Sequence, residues 1–170
     1  MTTETQARVI VGVDGSCGSL HALRVAVAEA RRRGHPLVVV HAVRPGMDPG
    51  GWPTAERTGH RVIADSLNEA LGGQPADLRV SRTVVELAPG PALVHLVRGP
   101  DDLLVLGSRA ICGLGRLRWS GADTYCVRHA PCPVLVVPPP TLLRLARTSR
   151  RERRDWQRGI EQLTSGSAGR

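Results

Sequence analysis

The chain has 170 residues, 41% of them hydrophobic, which is enough for one buried core and a tail. Its formal net charge is +8 and all 23 basic residues are arginine, so chemistry that needs a lysine is excluded: no P-loop lysine, no Schiff base, no lysine switch. Phenylalanine is absent and aromatic residues make up 2%, which argues against base-stacking platforms for single-stranded nucleic acid.

Residues 1–7 are polar, and no apolar run reaches the length of a membrane span, so the expectation is a cytoplasmic protein without signal peptide or membrane insertion. Residues 8–14 read as a central strand with Asp14 at its carboxyl end. Gly15 to Ser19 make a turn whose hydroxyls can cap a helix. Leu20, Leu23, Val27 and Ala30 recur at helical spacing, and Arg31, Arg32, Arg33 and Gly34 end that helix with cations near its negative terminus and a glycine cap. A second buried strand covers residues 37–42. Residues 43–58 are rich in Pro and Gly and are expected to form a loop, with residues 50–60, including Trp52, covering a site as a lid. A helix over residues 60–71 carries Ile63, Leu67 and Leu71 on one face and stops at Gly72 and Gly73. Residues 79–85 alternate apolar with polar, as an outer strand does. Pro89, Gly90 and Pro91 open a short helix with Leu93, Leu96 and Val97, closed by Gly99 and Pro100. Two apolar runs follow, 103–106 closed by Gly107 and 134–137 fenced by Pro133 and Pro138, with room between them for a loop and one helix.

Strands alternating with helices in this way spell one α/β domain over residues 8–138, a single doubly wound, five-stranded parallel sheet with helices on both faces. Residues 139–170 form an Arg-rich C-terminal extension: 141–170 hold eight arginines against the three acids Glu152, Asp155 and Glu161. Two readings stand for it, a solvated and partly disordered tail, or an arm that binds nucleic acid, an acidic protein or a membrane surface. Cys17, Cys112, Cys126 and Cys132 show no paired C-x-x-C spacing. Cys126, His129 and Cys132 can be drawn as a metal cluster, but small buried apolar side chains are the simpler reading, and no metal site is expected.

In a doubly wound sheet the ligand crevice opens beyond the carboxyl ends of two adjacent strands whose connections leave in opposite directions. With the first and fourth strands flanking it, Asp14 faces Gly107. Two roles are open to Asp14: bonding the sugar or base of a nucleotide, or capping the helix through the Asp14-Gly15-Ser16 turn. Backbone N–H groups from Gly107 onward, and at the start of the helix after Trp119 around Gly121 and Ala122, are placed to take phosphates. His41, in an apolar strand, reads as a satisfied core histidine rather than a catalytic base. Gly12, Gly15 and Gly18 do not make the dinucleotide fingerprint, and Gly113-Leu114-Gly115 follows no strand directly. The loop after the first strand lacks the S-G-G-x-D-S of ATP pyrophosphatases, and a phosphoacceptor role for Asp14 lacks both its lysine and a third-strand aspartate near Glu86. No enzyme is expected, beyond at most slow ATP hydrolysis.

Four stretches together resemble the universal stress protein family: residues 8–16, His41-Ala42-Val43, residues 104–109 (Leu-Val-Leu-Gly-Ser-Arg), and residues 129–137 (His-Ala-Pro-Cys-Pro-Val-Leu-Val-Val), in order and at the family's spacings. The resemblance implies strand order 3-2-1-4-5, a homodimer through the last strand, Val134 to Val137, and binding of ATP or a related adenine nucleotide, with Mg²⁺ as its companion ion, by a regulator of stress response. It also implies that the adenosine end is held by Asp14 and the backbone at Ala42. The family's phosphate loop has the form G-x2-G-x9-G-[ST]. Here only Gly107 is kept: Ala110 stands at the second glycine, Ser120 at the third, and Gly121 where Ser or Thr belongs. Ala110 adds a methyl group where positive φ costs a non-glycine residue about 1 kcal/mol, and Ser120 puts a side chain where bare backbone faces phosphate. The Ser120 hydroxyl and the flexibility of Gly121 can offset this in part, and two readings stand for Arg109, Arg116 and Arg118: charge brought to the phosphates, or a solvated loop. The alternative reading is a family member that has lost ATP and works as a dimeric adaptor, its basic tail capturing an anionic protein or nucleic acid.

Overall fold

The computed structural model describes residues 6–46, 50–108, 121–138 and 140. Short β-branched runs bounded by Gly and Pro become strands, and the 3.6-residue patterns between them become helices: β1 (Val9–Gly12), α1 (Cys17–Arg33), β2 (Leu37–Val43), α2 (Trp52–Leu71), β3 (Val80–Glu86), α3 (Pro89–Leu96), β4 (Leu103–Gly107), α4 (Ala122–His129) and β5 (Val134–Val137). The five strands pair in parallel in the order β3-β2-β1-β4-β5, the order the family resemblance implies. The Arg-rich extension, residues 139–170, lies outside the described residues apart from residue 140.

A parallel sheet must be covered on both faces, and each face has its own core. Val9, Val11, Leu37, Val39, Leu103 and Val105 point to α1 and α2, whose Leu23, Val27, Ile63 and Leu67 meet them. Ile10, Val38, Val40, Leu104 and Leu106 point the other way, onto Leu93 of α3 and Cys126 of α4. In α1 the buried stripe includes Ala22, Ala26 and Ala30, small residues at four-residue spacing that bring the helix axis close to the strands. Gly34 and Gly72 end α1 and α2 in the left-handed region, at φ 67° and 77°, as their positions past the last helical residue require.

One expectation is corrected. Residues 52–60 are not a loop or a lid but the first turns of α2, with Ala55 buried at 3% exposure. Gly51 caps the helix and Pro53 sits in its first turn, where a missing N–H costs nothing. Further along α2, Gly59 permits close packing: a Cβ there would lie 2.6 Å from the Val84 side chain.

At the amino end of the β1–β4 seam the chain buries an ion pair. Asp102 precedes β4 and is 3% exposed, and it accepts from the Arg8 guanidinium at 3.0 Å. It also accepts from the backbone N–H groups of Arg8 and Arg98, both at 2.8 Å. The same guanidinium donates to Leu96 O at 2.6 Å, tying the end of α3 to the seam. Burial pushes the Asp102 carboxyl up, but the Arg8 guanidinium and the two N–H groups outweigh it and hold the carboxyl below the usual carboxylate range.

Candidate functional site

The connection leaving β1 passes over one face of the sheet through α1, and that leaving β4 passes over the other through α4, so a crevice opens beyond their carboxyl ends. Val13 makes the last β1 hydrogen bond, its N–H donating to Val40 O at 2.8 Å. Gly15, at φ 75°, then turns the chain into α1. Asp14, between them, is exposed at the mouth of the crevice. Its Oδ1 accepts from the Ser16 backbone N–H at 3.0 Å and from Ser16 Oγ at 2.6 Å. Ser16 is the N-cap of α1, and its Oγ accepts from Ser19 N–H at 3.3 Å. Ser19 Oγ donates to Ser16 O at 2.9 Å and accepts from Asp14 N–H at 3.3 Å, closing the network. Asp14 thus braces Ser16, the cap of α1, and the residue is exposed.

Along β2 the backbone edges alternate, so the N–H and C=O of Ala42 lie on the same edge as Val40, facing the side that β1 has already left. His41, half-buried, bonds Val13 O through Nδ1 at 2.9 Å, the imidazole N–H donating and the carbonyl accepting. It holds β2 to the end of β1, and α2 closes over it at Gly59, whose added Cβ would stand 3.1 Å from the ring.

Gly107 has a packing reason of its own. A Cβ there would lie 2.5 Å from Gly18 O, 2.6 Å from Gly18 C and 3.0 Å from Ser19 N, so the first turn of α1 rests directly on the end of β4. Its φ is not among the positive ones; close approach, not the left-handed region, demands the glycine. Gly121 is the N-cap of α4 at φ −97°, ψ 171°, and Ala122 is the first residue of that helix. Arg109, Ala110 and Ser120 lie outside the described residues, as do Arg116 and Arg118.

One residue at this site was not read from the sequence. Asp123 stands in the first turn of α4, its Oδ1 accepting from the Thr124 N–H at 2.9 Å and sitting where a Cβ on Gly121 would stand. The signal was an acid two residues past a glycine at a helix start, a pattern that the helix dipole alone explains.

Two of the cysteines, Cys126 and Cys132, lie against the core on the α3–α4 face. Cys126 is fully buried and its thiol lies 3.7 Å from Gly90 O. Burial pushes that thiol up to about 12, with Asp123 and Cys132 adding to the effect, and burial also raises Cys132. Among the described residues no group of three or more His, Cys, Asp or Glu is arranged to hold a metal ion. A groove of about 490 Å³ beside the exposed Arg31–Asp77 ion pair lies at the opposite end of the sheet from Asp14, lined also by His35, Leu78 and Arg79. Among the described residues no helix is long and apolar enough to cross a membrane.

The family model for the universal stress protein family matches residues 7–138. A universal stress protein of Thermus aquaticus is 33% identical over 137 residues, which cover 76% of this chain and 96% of the relative. A universal stress protein of Mycobacterium tuberculosis is 32% identical over 144 residues, covering 78% of this chain and 48% of that one, so the chain spans about half the length of this mycobacterial relative. Among solved structures, a universal stress protein in complex with cAMP aligns at TM-score 0.60 and 23% identity, covering 81% of this chain and 100% of the other. An Arabidopsis thaliana protein of the same family with AMP bound aligns at TM-score 0.51 and 18% identity, covering 79% of this chain and 92% of that one.

Proposed function

Because the chain belongs to the universal stress protein family, we propose that it binds an adenine nucleotide beyond the carboxyl ends of β1 and β4 and acts as a regulator of stress response rather than as an enzyme. The observation that carries this reading is the exposed Asp14 carboxylate, held in one orientation by Ser16 beside the β2 edge at Ala42. A fixed carboxylate accepts from ribose hydroxyls, and a strand edge offering one N–H and one C=O reads the edge of a base. The family's pattern assigns the phosphate side of the proposed site to Gly107, Arg109, Ala110, Ser120, Gly121 and Ala122, and ATP, with Mg²⁺, is the family's expectation for its occupant. Relatives of the same fold were solved with cAMP and with AMP, which supports an adenine ligand. Isothermal titration of the folded chain with AMP and ATP, with and without Mg²⁺, tests the reading. Asp14→Ala is expected to lose affinity by about 100-fold, since a hydrogen bond to a charged group is lost and sugar hydroxyls are left unpaired. Undiminished binding by that variant would place the ligand elsewhere.

A second reading has its own support. Gly107 is already required by the seat of α1, so its presence does not by itself call for a phosphate. β5 is an edge strand whose Val134, Leu135 and Val136 are only half-buried, and a homodimer through this edge would cover them. A folded dimer that takes up no nucleotide would favour an adaptor whose basic residues 139–170 meet an anionic protein or nucleic acid.

A further inference from the structure

We infer that Asp123 sets the charge selectivity of the proposed adenine site, making it prefer the uncharged nucleoside adenosine to ATP; this rests on the nucleotide reading above and names its ligand class. Phosphates are held at helix N-termini because the first-turn N–H groups and the helix dipole face them. Two helices begin at this crevice: α4 carries Asp123 in its first turn, and Asp14 stands two residues ahead of Ser16, the N-cap of α1. At α1 the Ser16 N–H is taken by Asp14 and the Ser19 N–H by the Ser16 hydroxyl. At α4 the Thr124 N–H is taken by the Asp123 carboxylate, which covers Gly121, the N-cap residue at which a phosphate would approach. At each helix start one first-turn N–H, that of Ser19 or that of Thr124, is thus taken by an oxygen of the chain itself. A phosphate chain brought to α4 would have to displace the Asp123 carboxylate or lie against it, and like charges in contact repel strongly wherever water is thin. Sugar and base make no such demand. Asp14 and the Ala42 edge recognise them through hydrogen bonds, and a neutral ligand meets no repulsion from Asp123.

The test is titration of the full chain with adenosine, AMP and ATP in magnesium-free buffer, for the native protein and for Asp123→Asn, which keeps the side-chain shape and the acceptor for Thr124. The native chain is expected to bind adenosine more tightly than ATP. Asp123→Asn should tighten ATP about tenfold and leave adenosine within about twofold, since only the charged ligand senses the lost carboxylate. Raising ionic strength should narrow the native gap for the same reason. Asp123→Ser serves where the Asn variant is unfolded by circular dichroism. ATP binding more tightly than adenosine to the native chain, or a substitution that moves both ligands equally, overturns the inference and leaves adenine binding standing. Failure of folded native and variant proteins to bind either ligand overturns both.

Discussion

At the amino end of the β1–β4 seam Asp102 is 3% exposed and bonded to a guanidinium, while at the carboxyl end Asp14 is exposed and bonded to a serine hydroxyl and N–H. Both residues adjoin a strand terminus, and both accept from backbone N–H groups nearby. The difference is the partner and the water. A carboxylate shut in with Arg8 has its charge matched within the fold. The Asp14 carboxylate, by contrast, organises a helix start and is exposed. The two ends also differ in how the chains meet: Arg8 and Arg98 converge on Asp102, and Arg8 on Leu96 O, through polar contacts, whereas Gly18 and Gly107 meet backbone to backbone.

The comparison is broken most severely by Asp102→Ala. Removing one member of a buried pair leaves the Arg8 charge uncompensated, and the expected cost is about 3–5 kcal/mol in chemical denaturation. Ligand affinity of the remaining folded fraction should not change, because the pair lies at the far end of the sheet. The pH dependence follows from the sign of the shift. The folded Asp102 carboxyl sits below its unfolded value of about 3.9, so its contribution is complete above about pH 5 and is lost as pH falls through the lower folded value. Asp102→Asn should therefore flatten the acid limb of the stability profile, and an unchanged acid limb would mean that the pair contributes nothing.

Gly107→Ala tests the other end and is expected to cost less, about 1–3 kcal/mol, by forcing the first turn of α1 off β4. Thermal denaturation by circular dichroism measures it. Because Ser16 and Asp14 ride on that turn, the same substitution should also weaken adenine binding, which Asp102→Ala should not. A Gly107→Ala protein of native stability would show that the turn can move aside without loss.

These two ends were not equally legible in the sequence. β5 could be read to its residue limits because Pro133 and Pro138 fence an apolar run, and Asp14 could be placed because a strand ending in an acid before Gly and Ser announces a turn. The start of α2 could not, since Gly51 and Pro53 are signals shared by loops and helix starts, and only Ala55 and Gly59 packing on the sheet decides between them. Arg8 and Asp102 are 94 residues apart, and nothing local marks them as partners. Gly107 was read as a phosphate glycine on family grounds, but its contact with Gly18 is a tertiary one that no spacing reveals. Asp123 escaped notice because an acid in a first helical turn satisfies the helix dipole without further explanation.

Ser16→Ala is the smallest and most discriminating change at the carboxyl end. It deletes the hydroxyl that caps Ser19 N–H and that donates to Asp14 Oδ1 at 2.6 Å. Loss of an N-cap costs about 1 kcal/mol, and the thermal midpoint should fall accordingly. The Asp14 carboxylate remains, still accepting from the Ser16 backbone N–H at 3.0 Å, but it loses its shorter tether. If orientation of that carboxylate matters to ligand, adenosine affinity should drop by about threefold while the charge at the site is unchanged, so adenosine and ATP should weaken together. That common shift separates the work of Ser16, which aims an acceptor, from that of Asp123, which repels a phosphate: one moves both ligands, and the other moves their ratio.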